Sequence, residues 1–234
     1  MKFRIKSWSS RSSGLRTVVR FTLKYAPGFF PLYFVTDGAL NAGRTKLEVI
    51  SAALRGGARL IQFRDKELGD GAFEAEAREA LALCRTHDAT LIINDHVEIA
   101  ARIGADGVHL GQDDMSPVEA RRILGPDAII GLSTHNEEEV LAAQELPVSN
   151  INIGPMFATN TKEHLHHLGL DEVLRLSKLT RHPWTTMGGI KAHHLPGLFA
   201  AGVRTVSMVT EISLADDVEG RVRGLLRALS ASPT

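Results

Sequence analysis

Residues 90–110 read TLIINDHVEIAARIGADGVHL, and this stretch contains the unit that sets the fold. Residues 90–94 and 107–110 are short apolar runs rich in β-branched side chains, as expected of strands buried on both faces. Between them, residues 96–103 carry apolar side chains at helical spacing. The order strand, helix, strand predicts two parallel strands joined by a crossover helix.

The same unit repeats from Pro31 onward. The predicted strands cover residues 32–36, 59–64, 90–94, 107–110, 128–133, 149–153, 184–187 and 204–208, and the helical patterns cover residues 45–56, 72–87, 96–103, 116–124, 136–144, 171–180, 193–201 and 216–229. Eight alternating pairs predict an α/β fold, a (β/α)₈ TIM barrel in a single domain. A doubly wound open sheet is the alternative, but the turn at residues 35–38 lacks the G-x-G-x-x-G pattern that it favours.

Composition and charge exclude several classes of protein. The 234 residues are 44% hydrophobic with 27 basic and 27 acidic side chains, so an intrinsically disordered chain is excluded. The one cysteine, Cys84, cannot form an internal disulfide, which fits a reducing compartment, and its amphipathic helix predicts a small core residue. No apolar run is long enough to cross a membrane.

Residues 1–30 are basic and rich in serine, and we interpret them as an extension in front of a catalytic domain at residues 31–230. They fit a transit-type presequence, a basic arm for an anionic surface, or a dispensable extension. The first 36 residues contain seven basic side chains and no acid, so the remainder is mildly acidic and disfavours nucleic-acid binding. We expect a cytoplasmic protein, or organellar import if the extension is a presequence.

Polar residues follow the predicted strands, at the end of a barrel where active sites lie. Gln62, Arg64 and Lys66 alternate along one strand end, which places them on one side. Two cations and an amide suit a phosphate or diphosphate. The alternative is a rim of salt bridges with Asp65.

Asp95 and Asp114 follow adjacent strands, so their carboxylates can share one ion. Oxygen ligands without cysteine nearby favour magnesium, which completes its shell with water and substrate phosphate. A general acid and base pair is the alternative. Asp113 could replace Asp114 as the ligand, or cap the helix that starts near Ser116.

Gly188–Gly189 and Val209–Thr210 follow the last two strands, where barrels often bind phosphate on backbone N–H groups. Thr159, Thr161 and Lys162 add hydroxyl donors and a cation in a loop long enough to close over the mouth.

Histidines provide weaker signals. His164, His166 and His167 could bind a transition metal, but without a second ligand pair an exposed loop is preferred. His109 and His135 fit core or rim residues better than substrate ligands.

Six motifs together resemble the thiamine-phosphate synthase family over roughly residues 31–215. They are QFRDK at 62–66, IND at 93–95, GVHLGQDD at 107–114, GLSTH at 131–135, GPMFATNTK at 154–162 and MGGI at 187–190. The resemblance implies a (β/α)₈ barrel that joins 4-amino-2-methyl-5-hydroxymethylpyrimidine diphosphate to a thiazole phosphate or carboxythiazole phosphate. Thiamine phosphate and pyrophosphate are the implied products, and Mg²⁺ the implied cofactor.

The resemblance also implies site residues, carried over by matching position. Residues for the pyrimidine diphosphate would be Gln62, Phe63, Arg64, Asp65, Lys66, Asn94, Ser133 and Lys162. Magnesium would bind Asp95 and Asp114, and the thiazole phosphate would contact Thr159, Asn160, Thr161, Gly189, Val209 and Thr210. The catalytic set would be Arg64, Lys66, Ser133 and Lys162.

Two other functions stay open at this point. A thiazole tautomerase related to the family would lack the acidic pair and the Arg–Lys face, both of which this chain has. A catalytically silent barrel that only binds thiazole phosphate is supported by departures from the family pattern, namely Ala158 in place of proline, Thr210 in place of serine, and a histidine-rich loop at residues 164–168. Expected partners are small-molecule substrates, without nucleic acid or membrane, and a homo-oligomer is left open.

Overall fold

A computed structural model describes residues 30–158 and 167–230. Its eight strands are parallel and form a closed barrel in chain order, in which β1 pairs with both β2 and β8. The strands are β1 (Leu32–Val35), β2 (Leu60–Phe63), β3 (Thr90–Asn94), β4 (Gly107–Leu110), β5 (Ile129–Thr134), β6 (Asn150–Ile153), β7 (Trp184–Thr186) and β8 (Val206–Met208). The predicted TIM barrel is confirmed.

Helices connect the strands on the outside of the barrel. They are α1 (Lys46–Arg55), α2 (Asp70–Thr86), α3 (Val97–Ile103), α4 (Pro117–Leu124), α5 (Glu137–Ala142), α6 (Gly169–Ser177), α7 (Leu195–Ala200), α8 (Thr210–Ser213) and α9 (Val218–Ser230), with 3₁₀ turns at Ala143–Glu145 and Ala192–His194. Helix α8 was not predicted, because four residues are too few to produce a helical period. Over the described residues, every helix is too short or too polar to span a bilayer.

Local signals in the sequence explain where helices begin. Thr45 starts α1 with a capping box, in which its hydroxyl accepts from the Glu48 N–H while Glu48 accepts from the Thr45 N–H. Ser116 caps α4 through its hydroxyl, which accepts from the Glu119 N–H, ahead of a proline at the first helical position. The predicted alternative of a cap by Asp113 is therefore wrong.

Alternate side chains of each strand face the two sides of the barrel wall. Outward residues such as Phe34, Ile61 and Leu91 are fully buried against the helices, and burying a side chain of this size contributes roughly 1.5–3 kcal/mol. Inside the barrel, Tyr33 and Ile92 belong to a second, smaller apolar cluster. The barrel is therefore a packed core, on which the residues at the strand ends are held in place.

Polar side chains form a layer inside the barrel, toward its mouth. Asn152 Nδ2 donates to Thr185 Oγ1 at 2.8 Å, and the His109 ring nitrogen Nε2 lies 3.0 Å from Ser133 Oγ. Because buried polar groups are costly without partners, these hydrogen bonds fix side-chain orientations just below the cavity.

Candidate active site

A cavity of about 90 Å³ opens at the carboxyl ends of the strands, where the sequence predicts the active face. Residues at the ends of β1, β2 and β5 to β8 form its wall, including Val35, Arg64, Ser133, His135, Asn152, Gly188, Gly189, Ser207, Val209 and Thr210. Strand ends that are far apart in the chain therefore meet around one space.

Arg64 and Lys66 follow β2, and each pairs with a carboxylate from a neighbouring strand end. Arg64 Nη1 lies 3.0 Å from Asp37 Oδ2, and both side chains are largely buried. Lys66 Nζ contacts Asp95 Oδ2. The alternative of salt bridges to Asp65 is wrong, because Asp65 pairs with a different lysine.

Gln62 lies inside the barrel rather than on the same open surface as the two cations. Its side-chain amide donates from Nε2 to the Tyr33 hydroxyl oxygen at 2.8 Å, and the pair is buried. Burial raises the pKa of Tyr33, so the phenol stays neutral. This hydrogen bond fixes the orientation of the Gln62 amide, including its oxygen, below the mouth.

Phe63 and Asp65 have side chains that serve packing. Phe63 is fully buried on the helix side of the wall, with its ring centroid 5.0 Å from that of Phe73. Asp65 Oδ2 lies 2.7 Å from Lys46 Nζ, and Asp65 Oδ1 accepts from the backbone N–H groups of Glu67 and Leu68. Contact of these two residues with a ligand would have to come from their backbone atoms.

Burial alone would raise the pKa of Asp65, but hydrogen bonds from Lys46 and from the two backbone N–H groups outweigh it and lower the pKa. Lys46 Nζ also lies 3.0 Å from Glu76 Oε2. The buried charges therefore fix the loop that carries Arg64 and Lys66.

Asp95 and Asp114 come together as predicted. Desolvation raises the pKa of Asp114, and the hydrogen bond to Asp95 and the charge of Asp95 raise it further, against Gly111 and Lys66, which lower it. Asp114 Oδ2 accepts from the Gly111 N–H at 2.7 Å, and Asp95 has a φ of 60°, a conformation that aspartate tolerates better than most residues. The two carboxylates and the ammonium of Lys66 therefore form a site in which negative and positive groups are neighbours.

Asn94, which precedes Asp95 in the chain, and Ser133 are both buried. Asn94 is in register with His109 across β3 and β4, and Ser133 is bonded to the His109 ring. The Ser133 carbonyl accepts from Gln112 Nε2. His109 is thus a core histidine, as the sequence indicates.

His135 lines the cavity with its ring Nδ1 2.9 Å from Glu139 Oε2. The sequence predicts a core or rim position for it.

On the opposite side of the mouth, the backbone after β7 makes two unusual turns. Gly188 and Gly189 have φ angles of 99° and 63°, which favour glycine. A Cβ on Gly189 would collide with the Ala158 carbonyl oxygen and lie 2.9 Å from Phe157 Cβ. Thr210, which begins α8, lines the cavity beside this turn.

Thr159, Asn160, Thr161 and Lys162 lie outside the described residues, as do His164 and His166. Within the part that is described, no three His, Cys, Asp or Glu side chains are grouped closely enough to bind a metal by themselves. Any metal at Asp95 and Asp114 would need further oxygen ligands from water or substrate.

The structure thus divides the mouth into two parts. The charged arc consists of Arg64, Lys66, Asp95 and Asp114 after β2, β3 and β4. The glycine arc consists of Gly188, Gly189 and Thr210 after β7 and β8.

Sequence reasoning missed four residues that support these arcs. Asp37 binds Arg64, Tyr33 orients Gln62, Lys46 binds Asp65, and Lys191 Nζ donates to Thr210 Oγ1 at 3.2 Å. Lys191 stands two residues after the Gly188–Gly189 pair, so its place beside a predicted phosphate site was a usable signal. The partners of the others are nearly twenty or more positions away in the chain, which no local pattern reveals.

Comparisons with known proteins agree on one family. A family model described as thiamine monophosphate synthase matches residues 32–212. A thiamine-phosphate synthase of Azorhizobium caulinodans is 41% identical over 202 residues, which cover 86% of this chain and 95% of the relative. One of Caldicellulosiruptor bescii is 36% identical over 203 residues, with 86% and 93% covered.

A solved structure of thiamine phosphate pyrophosphorylase from Pyrococcus furiosus superposes with a TM-score of 0.80 at 27% identity. The match covers 87% of this chain and 97% of that protein.

Proposed function

The chain belongs to the thiamine monophosphate synthase family, and we propose that it condenses 4-amino-2-methyl-5-hydroxymethylpyrimidine diphosphate with a thiazole phosphate to give thiamine phosphate and pyrophosphate. It is a transferase of thiamine biosynthesis. The observation that carries this proposal is the arrangement of the barrel mouth, where the charged arc follows β2 to β4 and the glycine arc follows β7 and β8. Arg64 and the glycine arc line the same cavity. Such a mouth can accept a diphosphate on one side and a monophosphate on the other.

Magnesium fits the charged arc. The carboxylates of Asp95 and Asp114 lie close enough that Asp95 raises the pKa of Asp114, and oxygen donors of this kind are the ones that Mg²⁺ prefers. When bound there, magnesium would neutralise charge on the diphosphate. A cation bound there would relieve the repulsion between the two carboxylates, which favours cation binding at this point.

The side chains of the charged arc would bind the leaving group. The C–O bond between the pyrimidine methylene and the diphosphate breaks with its electron pair going to oxygen, and the lone pair of the thiazole nitrogen forms the new C–N bond. Arg64 and Lys66, with Lys162, would stabilise the charge that accumulates on the departing oxygens, and such electrostatic stabilisation is commonly the largest contribution to catalysis. This sequence of events needs no covalent nucleophile.

The pyrimidine would lie over Gln62, Asn94 and Ser133, which are buried below the mouth. Tyr33 holds Gln62, and His109 holds Ser133, so these side chains have fixed directions for a ring with hydrogen-bonding nitrogens. Phe63 and Asp65 would act through their backbone and through packing. On the other side, Gly189, Val209 and Thr210, with Thr159, Asn160 and Thr161, would surround the thiazole phosphate.

A coupled assay tests the function. Both substrates are supplied with and without Mg²⁺, and thiamine phosphate and pyrophosphate are measured together. We expect equal amounts of the two products, formed only with the metal. Thiazole conversion without pyrophosphate would indicate a tautomerase, and thiazole phosphate binding without turnover would indicate a silent barrel.

Residues 1–30 and 31–230 are proposed as an extension and a catalytic domain, and the protein is proposed to act in the cytoplasm. The buried thiol of Cys84 supports a reducing compartment, because it needs no oxidised partner.

A further inference from the structure

The glycine arc has a cation close beside it that the proposed function does not use. Lys191 follows Ile190, a residue of the cavity wall, and its Nζ donates to Thr210 Oγ1 at 3.2 Å. The Lys191 side chain is 42% exposed, so it is not enclosed by the protein around it. An ammonium has three N–H donors, and Thr210 uses one of them.

Glu211 keeps this ammonium in place without neutralising the region. Its carboxylate is 13% exposed and lies 3.6 Å from Lys191 Nζ through Oε2, and 3.3 Å from Arg221 Nη1 through Oε1. Two cations thus share one carboxylate, and the three side chains together carry a net positive charge. The carboxylate helps to hold the lysine beside Thr210, a residue of the cavity wall.

The glycine arc itself has no charged side chain. Gly188 and Gly189 offer backbone N–H groups, and Thr210 offers a hydroxyl. Among the described residues of the cavity wall, Arg64 is the one permanent cation, and it is paired with Asp37. A phosphate monoester carries between one and two negative charges at neutral pH, and hydrogen bonds from charged donors are roughly twice as strong as those from neutral ones.

From these observations we infer that Lys191 determines specificity for the phosphorylated thiazole: its ammonium reaches the phosphate next to Thr210 and favours the phosphate ester over the free alcohol. The inference rests on the proposed function for the identity of the ligand. It concerns binding, so Lys191 is not assigned a role in breaking or making a bond.

The test compares Lys191→Gln with the wild-type protein in direct binding of thiazole phosphate and of the thiazole alcohol, measured by calorimetry without the second substrate. We expect Kd for the phosphate to rise about tenfold and Kd for the alcohol to stay within twofold. In turnover, KM for thiazole phosphate should rise, whereas kcat and KM for the pyrimidine diphosphate should not change. Lys191→Arg should restore most of the affinity.

Two further variants separate a ligand from a structural partner. Lys178→Gln removes the same charge from an exposed position at the end of α6, and it should leave binding unchanged. Glu211→Gln keeps a side-chain oxygen beside Lys191 and removes a negative charge from the region, so phosphate affinity should be equal or better.

The inference is overturned if Lys191→Gln binds thiazole phosphate within twofold of the wild type, or if Lys191→Gln and Glu211→Gln weaken it equally. Wild-type protein that binds thiazole phosphate but forms no product would refute the proposed function while leaving the Lys191 measurement intact.

Discussion

The two arcs of the mouth differ in how they are built: one consists of ion-paired side chains and the other of shaped backbone. In the charged arc, each described cation already has a partner: Arg64 binds Asp37, and Lys66 binds Asp95. In the glycine arc, the backbone itself is shaped, with positive φ angles at Gly188 and Gly189. Binding at the charged arc would therefore exchange one set of ionic partners for another, whereas binding at the glycine arc would fill a space that already exists.

This difference indicates which kind of substitution should impair each arc. A charged arc loses function when a charge is removed, because electrostatic stabilisation there depends on the balance of cations and anions. A glycine arc loses function when atoms are added, because a side chain occupies the place of the ligand or displaces the backbone. The predictions below separate these two sensitivities.

The largest effect should come from Asp114→Asn, which removes a charge but leaves an oxygen for the Gly111 N–H. We expect turnover to fall about a hundredfold or more, the scale of losing one strong electrostatic group. Thiazole phosphate should bind as before, since the glycine arc proposed for it lies on the other side of the mouth. The measurements are kcat against Mg²⁺ concentration and the affinity for thiazole phosphate.

Asp113→Asn is the matched control, because Asp113 is the next residue in the chain, is exposed like Asp114 and carries the same charge. Normal turnover in Asp114→Asn with a large loss in Asp113→Asn would transfer the ligand role to Asp113.

Breaking the buried ion pair that supports the charged arc should lower the stability of the protein. Lys46→Met leaves Asp65 without its cation, and both side chains are at least 90% buried. Removing one partner of a buried pair leaves the other charge uncompensated, so we expect the free energy of unfolding to fall by about 3 kcal/mol. Urea denaturation measures it. Arg78→Met breaks an exposed pair with Glu74 and should cost less than about 1 kcal/mol.

The same pair gives the fold a pH dependence of known sign. The pKa of Asp65 is lowered in the folded protein, so its contribution to stability is present above the unfolded value and is lost as the pH falls through the folded one. Wild-type stability should decrease on the acid side of about pH 4. An Asp65→Asn variant that showed the same decrease would contradict this assignment.

In the glycine arc, adding atoms should weaken binding. Gly189→Val places a side chain against Ala158 and Phe157 at a φ of 63°. We expect thiazole phosphate affinity to fall about tenfold or more, with the pyrimidine diphosphate much less affected. Gly202→Val imposes a similar backbone strain at a φ of 98° where the space is open, and it should spare both ligands. Equal weakening of both ligands by Gly189→Val would mean that the fold has been damaged.

The smallest effect should come from outside both arcs. Deleting residues 1–28 should leave the melting temperature and turnover unchanged, because the barrel closes through β1 from Leu32 onward. A deletion of residues 1–31 should destabilise the protein, since it removes Phe30, which packs on the interior cluster, and the Pro31 carbonyl that accepts from the Val206 N–H. An inactive 1–28 deletion would show that the extension belongs to the barrel.

The sequence predicted the barrel well because buried parallel strands are continuous apolar runs, and every strand boundary lies within two residues of its prediction. It also predicted which strand ends meet. It could not predict the direction of side chains beyond the strand ends. Arg64 and Asp65 are neighbours in the chain, yet one faces Asp37 at the mouth and the other faces Lys46 under the helices.

Cys84, predicted as a core residue, is fully buried on α2, the helix that also carries Glu76 opposite Lys46. Desolvation, with a smaller contribution from the charge of Asp106, raises the pKa of its thiol to about 12, so at pH 7 the group is almost entirely the unreactive thiol. A thiol reagent can therefore modify the native protein almost exclusively during transient openings of the helix layer. With one cysteine in the chain, the labelling rate reports the frequency of those openings without an introduced probe.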